Sequence, residues 1–266
     1  MKIKKTKKSA IVAICMAAIL GITGAFAFLT DYDDATNKFQ FLDDNGEQTI
    51  DIDLVEPGWD EALTDADGDG IPDGDLDQDG IPDFAENVIY GIPVDKAPHV
   101  KNLGENDVYT FVTVLVPTKE VITSTSEGVW EDKAQKELYT LHDVDLEGWT
   151  EIGKNAVGEW AVLGDGASQG KVIVNENGTF TAHVYAYNGI HEAGKDTSDL
   201  FKKVEMINLV NGQLTEDDDI NIYVDAYSVQ AAGQENTDPV ALWKVMMNET
   251  AGVDGVAFDV FAPLSE

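Results

Sequence analysis

The sequence predicts an all-β protein, a jelly-roll-like sandwich of two sheets with an inserted calcium-binding loop segment and one or two short helices. Most periodic segments alternate apolar and polar residues with a period of two, and turn-forming residues separate them. Convincing helical spacing is confined to residues 239–248. Because no linker rich in Pro, Gly or Ser divides residues 28–266, they are predicted to form a single domain, with the insertion at about residues 60–90.

The strand predictions rest on this alternation. Residues 108–116 are apolar on both faces, which is typical of a central strand. Residues 178–187 and 219–226 carry apolar side chains at every second position, so each is predicted to cover a core with one face. Asn177-Gly178 predicts a hairpin turn. Shorter strands are predicted at residues 38–42, 49–55, 136–141, 157–163, 170–175, 201–209 and 255–261.

Helical signals are few. Asp238 is placed to cap a helix over residues 239–248, a proline suits its first turn, and its apolar residues recur on one face. A short helix is also predicted at residues 84–90. Residues 56–59 contain Pro and Gly, and we therefore expect them to be poor helix formers.

Residues 65–86 contain two copies of one acidic unit with a period of ten. The segment holds nine carboxylates and no lysine, so its side chains would repel one another unless cations bind between them. Calcium loops place carboxylates at positions 1, 3 and 5, a glycine at 6, a carbonyl at 7, a ligand at 9 and a glutamate at 12. The copy that starts at Asp75 is complete, whereas the copy that starts at Asp65 has Leu76 at position 12.

This spacing predicts two Ca²⁺ sites, the second binding more tightly, with Asp73 and Asp75 facing both ions. Pro72 and Pro82 lack the N–H that paired EF-hand loops use, and the DxDxDGIPD units instead resemble thrombospondin type 3 and related bacterial calcium repeats. The alternative is a solvated acidic linker, which two Gly-Ile-Pro-Asp sequences in register disfavour. The predicted ligands are Asp65, Asp67, Asp69, the Ile71 carbonyl, Asp73, Asp75, Asp77, Asp79, the Ile81 carbonyl, Asp83 and Glu86.

The first 27 residues have the features of a secretion signal. Five lysines precede an apolar run at residues 11–22, and Ala25-Phe26-Ala27 forms a cleavage site, so we expect the mature chain to start near Phe28. An uncleaved anchor is the alternative. The only cysteine, Cys15, follows Ile14 rather than a small residue, which disfavours lipidation and leaves the mature chain without disulfides. These features predict a secreted protein.

The charge of the chain limits the classes of partner that it is expected to bind. Removing the five signal lysines changes the formal net charge from −33 to −38, and the sequence has no arginine. Nucleic acids and anionic membranes require a basic surface, so neither is an expected partner after signal cleavage. A strongly acidic chain favours solubility and attracts counter-cations.

No catalytic constellation is predicted. His191-Glu192 begins like a zinc-protease helix, but the second histidine is missing from HEAGK, and no phosphate loop, dinucleotide fingerprint or serine-nucleophile motif occurs. Because carboxylates are abundant, a catalytic pair of acidic residues is left as an open alternative. The aromatic residues on predicted strands leave a carbohydrate platform as a further alternative, although core packing explains them more simply: Trp149, Trp160, Tyr185, Tyr187, Tyr223 and Tyr227.

Several short motifs occur in order along the chain: TGAFAFLTD at 23–31, ATNKF at 35–39, IDIDLVE at 50–56, WD at 59–60, KAPHVKN at 96–102, AGKDTSDLF at 193–201 and YVDAYSVQ at 223–230. Together they resemble the camelysin/TasA family of secreted proteins, which a SipW-type signal peptidase cleaves. The resemblance implies a jelly-roll sandwich and biofilm-matrix fibres, in which the segment freed by cleavage adds a strand to the neighbouring subunit. The calcium insertion departs from the family pattern.

The leading hypothesis is a non-enzymatic, secreted, calcium-binding structural protein of the cell surface or biofilm matrix. Its expected partner is a second copy of itself, engaged by the N-terminal segment 28–42 as a donated strand, and other matrix components are further candidate partners. The first alternative is a monomeric calcium-stabilised adhesin or binding module. The second is a secreted metalloprotease, which the missing HExxH disfavours.

Overall fold

The computed structural model describes residues 30–33, 41–42, 48–76, 78, 82–86, 89–125, 128–154, 159–163, 172–174, 179–215, 218, 220–234 and 237–251. The predicted signal and the predicted strand 255–261 lie outside these residues. Within them, no helix combines the length and the apolar character needed to cross a membrane. The strands are β1 (Thr30–Asp33), β2 (Phe41–Leu42), β3 (Gln48–Ile50), β4 (Ile52–Val55), β5 (Pro93–Asp95), β6 (His99–Asn102), β7 (Val108–Val121), β8 (Ala134–Glu137), β9 (Tyr139–His142), β10 (Trp149–Lys154), β11 (Trp160–Val162), β12 (Val172–Val174), β13 (Phe180–Tyr187), β14 (Lys203–Met206) and β15 (Tyr223–Gln230). The helices are α1 (Pro57–Ala62), α2 (Asp83–Glu86) and α3 (Pro239–Ala251).

All strand pairs among the described residues are antiparallel. The large sheet has eight strands in the order β1-β15-β7-β13-β10-β11, with β12 also pairing β13 and β8 pairing β7. Three small sheets accompany it: β5-β14-β9, β2-β3 and β4-β6. The predicted all-β sandwich is confirmed.

Strand β7 is the centre of the large sheet and contributes to a core on each side. Val112, Val114 and Val116 point into the first core, which the large sheet shares with β4, β6 and the β5-β14-β9 sheet. Phe111 points into the second core, on the opposite face of the sheet, where α3 covers it. The prediction that this strand is apolar on both faces is confirmed, and the strand continues five residues beyond the predicted end.

Helix α3 closes the second core through Trp243, which is fully buried. The Trp243 ring lies 5.4 Å from the ring of Phe111 and 5.4 Å from the ring of Trp160, between centroids. The predicted cap is also present, because the Ala241 N–H donates to Asp238 Oδ1 at 2.9 Å. Residues 239–248 are therefore helical as predicted.

Replacing this cap gives a first testable result. Asp238→Ala removes the acceptor for a backbone N–H in the first turn of α3, and the free energy of unfolding should fall by about 1 kcal/mol. Urea denaturation measures the change. Asp238→Asn keeps an acceptor oxygen while removing the charge, so it should retain most of the stability; an equal loss in both variants would assign the effect to charge rather than capping.

Four sequence predictions differ in detail. The predicted strand 219–226 begins only at Tyr223, and Ile220 and Ile222 before it pack against the first core. The predicted strand 49–55 divides at Asp51, whose carbonyl accepts from the loop N–H groups of Leu103 and Gly104. The predicted strand 136–141 divides at Leu138 into β8 and β9, which join different sheets. Of the helix predicted at 84–90, residues 84–86 are helical in α2, residues 89 and 90 are not, and residues 87 and 88 lie outside the described residues.

The expectation that residues 56–59 are poor helix formers is wrong. Pro57 occupies the first turn of α1, where its missing N–H costs nothing. The Asp60 side chain reaches back to accept from the Glu56 N–H at 2.8 Å, while the Trp59 and Asp60 N–H groups donate to the Glu56 carbonyl at 2.9 Å each. This local hydrogen bonding outweighs the weak helix propensity of Pro and Gly.

Candidate metal centre

The acidic segment connects β4 to β5 and begins and ends in short helices, α1 and α2. Its first loop brings Asp65, Asp67 and Asp69 together, with one carboxylate oxygen of each lying within 4.8 Å of the others. All three side chains are exposed. Three convergent carboxylates at positions 1, 3 and 5 form half of an oxygen-ligand set for a hard divalent cation.

The coil of the first loop follows from its own backbone. Asp65 accepts from the N–H groups of Gly68 at 2.7 Å, Asp69 at 3.2 Å and Gly70 at 2.8 Å. Gly68 and Gly70 have φ angles of 79° and 92°, a region that side chains disfavour, so glycine suits this turn. The hydrogen bond from Gly70, followed by those from the other N–H groups, lowers the pKa of Asp65, which keeps this carboxylate charged for a cation.

The period of ten in the sequence is repeated in the hydrogen bonds. The Asp73 N–H donates to the Thr64 carbonyl at 3.0 Å, and ten residues later the Asp83 N–H donates to the Gly74 carbonyl at 2.7 Å. The Asp73 side chain accepts from the Ala66 N–H at 3.4 Å, and the Asp83 side chain accepts from the Leu76 N–H at 3.1 Å.

The second loop also copies the backbone of the first at position 4. Gln78 there has a φ of 62°, and Gly68 at the same position of the first loop has 79°. A left-handed backbone is uncommon for a residue with a side chain. Its repetition indicates that the two copies adopt one conformation where both are described.

Asp75 differs from every other described carboxylate of the segment because it is buried, with only 2% of its surface exposed. It lies at the junction of the two loops, and its N–H donates to the Pro72 carbonyl at 3.3 Å. A junction carboxylate fits the prediction that Asp75 faces both ions. Burial of a carboxylate is costly unless it is paired, hydrogen-bonded or bound to a metal.

The remaining predicted ligands are described in part. Asp73 and Asp83 are exposed and hold the loops through the hydrogen bonds given above, and Ile71 is exposed at the end of the first loop. Asp77, Asp79 and Ile81 lie outside the described residues, as does the side chain of Glu86. The structure therefore brings together the first three predicted ligands and leaves the complete second loop as a prediction.

The base of the acidic segment is attached to the sandwich. The Trp59 ring of α1 meets the Phe84 ring of α2 edge-on at 5.6 Å between centroids. The Trp59 Nε1–H donates to the Asp95 carbonyl at 3.3 Å, and Lys96 Nζ lies 4.4 Å from the Trp59 ring centroid while pairing with Glu56. Both ends of the segment are thus held against β5 and the residue that follows it.

Two features at this base were missed by the sequence analysis. One is the aromatic pair itself, which single aromatic residues on either side of the acidic repeat could have suggested. The other is a cavity of about 470 Å³ lined by Trp59, Phe84, Ile89, Ile92 and neighbouring residues of β5. Gly74 packs so closely on Ala62 that an added Cβ would lie 2.7 Å from the Ala62 Cβ, which fixes the first loop against α1.

Among the described residues, the histidines form no cluster that could hold a metal ion. His191 is buried, its Nε2 lies 2.8 Å from the Lys195 carbonyl, and its Nδ1 lies 2.8 Å from Thr110 Oγ1. A carbonyl only accepts, so Nε2 carries the proton and Nδ1 accepts from the threonine hydroxyl. Burial lowers the pKa of His191, which favours this neutral form. Both ring nitrogens are occupied by the protein, so this residue is structural.

The aromatic residues considered as a carbohydrate platform are mostly core residues. Trp149, Tyr185 and Tyr227 are buried, and Trp160 is half-buried against Trp243. Their burial favours the packing explanation.

Comparison of the chain with protein-family models, with curated proteins and with solved structures finds no match. The resemblance to the camelysin/TasA family therefore rests on the motifs alone and stays a hypothesis.

Proposed function

We propose that this protein is a secreted, calcium-binding structural protein of the cell surface or biofilm matrix, without enzymatic activity, that assembles with copies of itself. The observation that carries the calcium proposal is the agreement between the acidic period of ten and the repeated hydrogen bonds at Asp73 and Asp83. A solvated acidic linker has no reason to repeat its backbone contacts, whereas tandem cation loops do.

Electrostatics support a resident cation. Asp65, Asp67 and Asp69 converge although the chain carries a formal net charge of −33. Like charges this close destabilise a loop unless a counter-charge sits between them. Because the ligands are all oxygen atoms and no histidine joins them among the described residues, Ca²⁺ suits the site better than Zn²⁺.

The position of β1 supports self-assembly. This strand, Thr30–Asp33, begins two residues after the predicted start of the mature chain at Phe28 and pairs with the edge of β15. It covers only Ala226–Val229, half of the eight-residue β15. A short terminal strand at a sheet edge can be exchanged for the same strand of a neighbouring copy, because the backbone hydrogen bonds are identical.

A monomeric binding module is the second candidate function. The cavity at the base of the acidic segment favours it, because Phe84, Ile89 and Ile92 expose apolar surface there. In this alternative calcium would stiffen the walls of the cavity instead of promoting assembly.

Purified protein that starts at Phe28 tests the proposal. Calorimetric titration should show two Ca²⁺ ions per chain, and electron microscopy in calcium should show extended assemblies. Absence of calcium binding would support the acidic linker, whereas calcium binding by a protein that stays monomeric in light scattering would support the binding module. Casein hydrolysis that a zinc chelator abolishes would overturn the non-enzymatic assignment.

A further inference from the structure

The cavity at the base of the acidic segment has walls from α1, α2 and the region of β5. Trp59 belongs to α1, Phe84 belongs to α2, and Ile89 and Ile92 precede β5. The volume of about 470 Å³ is within the range of small-molecule sites. Phe84, Ile89 and Ile92 are 47%, 61% and 51% exposed, although they are large and apolar. Three such side chains around one cavity form a surface that a ligand can cover.

Gly74 connects the two helical walls of this cavity. Its N–H donates to the carbonyl of Ala62, the last residue of α1, at 2.8 Å. Its carbonyl accepts from the N–H of Asp83, the first residue of α2, at 2.7 Å. One residue therefore joins the two helices, and a change in the backbone at Gly74 would alter the distance between Trp59 and Phe84.

The closing hydrogen bonds of the two predicted ion loops lie at the same place. The bond from the Asp83 N–H to Gly74 spans the second loop, and the bond from the Asp73 N–H to the Thr64 carbonyl, at 3.0 Å, spans the first. An ion bound inside a loop favours the closed form of that loop, so ion binding should hold the two helical walls together. This step rests on the calcium binding proposed above.

The charges that line the cavity favour a cation. Among the described lining residues the one lysine is Lys96, whose Nζ is already paired with Glu56 and lies 4.4 Å from the Trp59 ring centroid. Asp95 also lines the cavity, and its side chain is 87% exposed. Its partner Lys203 lies 3.6 Å away and is itself exposed. An exposed ion pair of this length contributes little, so it can be exchanged for a cation on a ligand.

The acidic segment keeps this preference after calcium binds. Its nine carboxylates exceed the four positive charges of two Ca²⁺ ions by five. An apolar cavity beside a segment with net negative charge attracts cations and repels anions.

We propose that this cavity binds an amphiphilic cation, an apolar group that carries one charged amine, and that calcium strengthens the binding by holding α1 and α2 together. The apolar group fills the space between Trp59, Phe84 and Ile92, and the amine lies near Asp95. Such coupling is reciprocal, so the ligand should raise the affinity of the protein for calcium by the same factor.

Equilibrium dialysis of protein that starts at Phe28 tests the ligand class with three probes that share a naphthalene ring: naphthylmethylamine, naphthylmethanol and naphthoate. In calcium the amine should bind about tenfold more tightly than naphthoate, with the alcohol between them. Salt at about 1 M should reduce this difference, because it screens the charges. Equal affinities for the three probes, or a preference for naphthoate, would overturn the proposal.

Two isoleucines with the same exposure separate the cavity from the remaining surface. Ile92→Ser removes apolar surface from the wall and should weaken binding of the amine about tenfold. Ile190→Ser is the matched control, because Ile190 is also 51% exposed but lies outside the cavity, and it should leave the binding unchanged. If Ile92→Ser stopped self-assembly without changing the binding of the amine, the cavity would hold a second copy of the chain and the proposal would be wrong.

Removal of calcium tests the coupling. In a chelator the amine should bind about tenfold more weakly. Gly74→Ala should give similarly weak binding in calcium, because the added Cβ would lie 2.7 Å from the Ala62 Cβ and push the helices apart.

Calorimetric titration of Ca²⁺ without any probe keeps this inference separate from the proposed function. Intact calcium binding, with an affinity for the amine that is the same with and without calcium, would overturn the coupling alone. Absence of calcium binding would overturn the proposed function and the coupling with it, whereas the preference for the amine would still be measured by dialysis.

Discussion

Asp75→Ala should abolish most of the calcium-dependent stability of the protein. Asp75 is the one buried carboxylate among the described residues of the acidic segment, and it stands between the two loops as a predicted ligand of both ions. A ligand present at 100 times its Kd stabilises the folded state by about 2.7 kcal/mol, so two lost sites would remove roughly 5 kcal/mol. Thermal unfolding in calcium and in a chelator measures the difference for each variant.

Two further variants separate ion binding from charge. Asp67→Ala removes a ligand of the first loop only, which is predicted to bind less tightly, so more than half of the calcium-dependent increment should remain. Glu61→Ala removes an exposed carboxylate of α1 outside the loops, so the full increment should remain. If Asp75→Ala kept the full increment as well, Asp75 would not be a ligand of either ion. If the unsubstituted protein itself showed no calcium-dependent increment, the segment would be a solvated acidic linker.

Calcium should stabilise the sandwich as well as the segment, because the two are physically joined. Trp59 contacts Phe84 across the base of the segment and donates to the Asp95 carbonyl of β5. When calcium orders the loops, α1 and α2 are held together, and the Trp59 anchor on β5 is retained. If the melting temperature of the sheet does not change with calcium, the acidic segment and the sandwich unfold as separate cooperative units, and the boundary between them lies at this anchor.

The features predicted best from the sequence are those that follow from the alternation of apolar and polar residues, from the acidic repeat or from residues close together in the chain. The acidic period of ten predicted two copies of a loop, and the repeated hydrogen bonds of Asp73 and Asp83 agree with it. The double-faced apolar pattern of residues 108–116 placed β7 at the centre of the sheet because only a strand covered on both sides has that pattern. The cap at Asp238 was predictable since it depends on residues three positions apart.

Contacts between distant residues were not predictable in the same way. Alternation assigns Glu137 and His183 to strands, but no strand was predicted over Glu151, which lies in β10. Alternation also does not state which strands pair or in what register, so the contacts among these three residues could not be foreseen. The break at Leu138 was hidden for the same reason, because β8 and β9 have continuous strand-like sequence and separate only through different pairing partners. The pairing of Trp59 with Phe84 likewise depends on how the intervening acidic loops close.

A chain that starts at residue 38 should fold and bind calcium but fail to assemble. It lacks β1, the segment proposed to be donated, while the acidic segment and the first core are intact. Light scattering and electron microscopy in calcium at about 0.15 M salt should show monomers. Calcium and salt are included because the large negative charge otherwise opposes contact between subunits.

Mixing this truncated chain with the full mature protein gives a sharper result. The truncated chain has a free β15 edge at Ala226–Val229, so it can accept a strand from a neighbour but has none to donate. A small fraction of it should therefore stop growth at one end and shorten the assemblies. A peptide of residues 28–42 should act in the same way by occupying β15, while a scrambled peptide of the same composition should not. If the truncated chain assembles as readily as the mature protein, strand donation is wrong and the copies contact one another through a different surface. If the mature protein itself stays monomeric in calcium, the monomeric binding module becomes the better hypothesis.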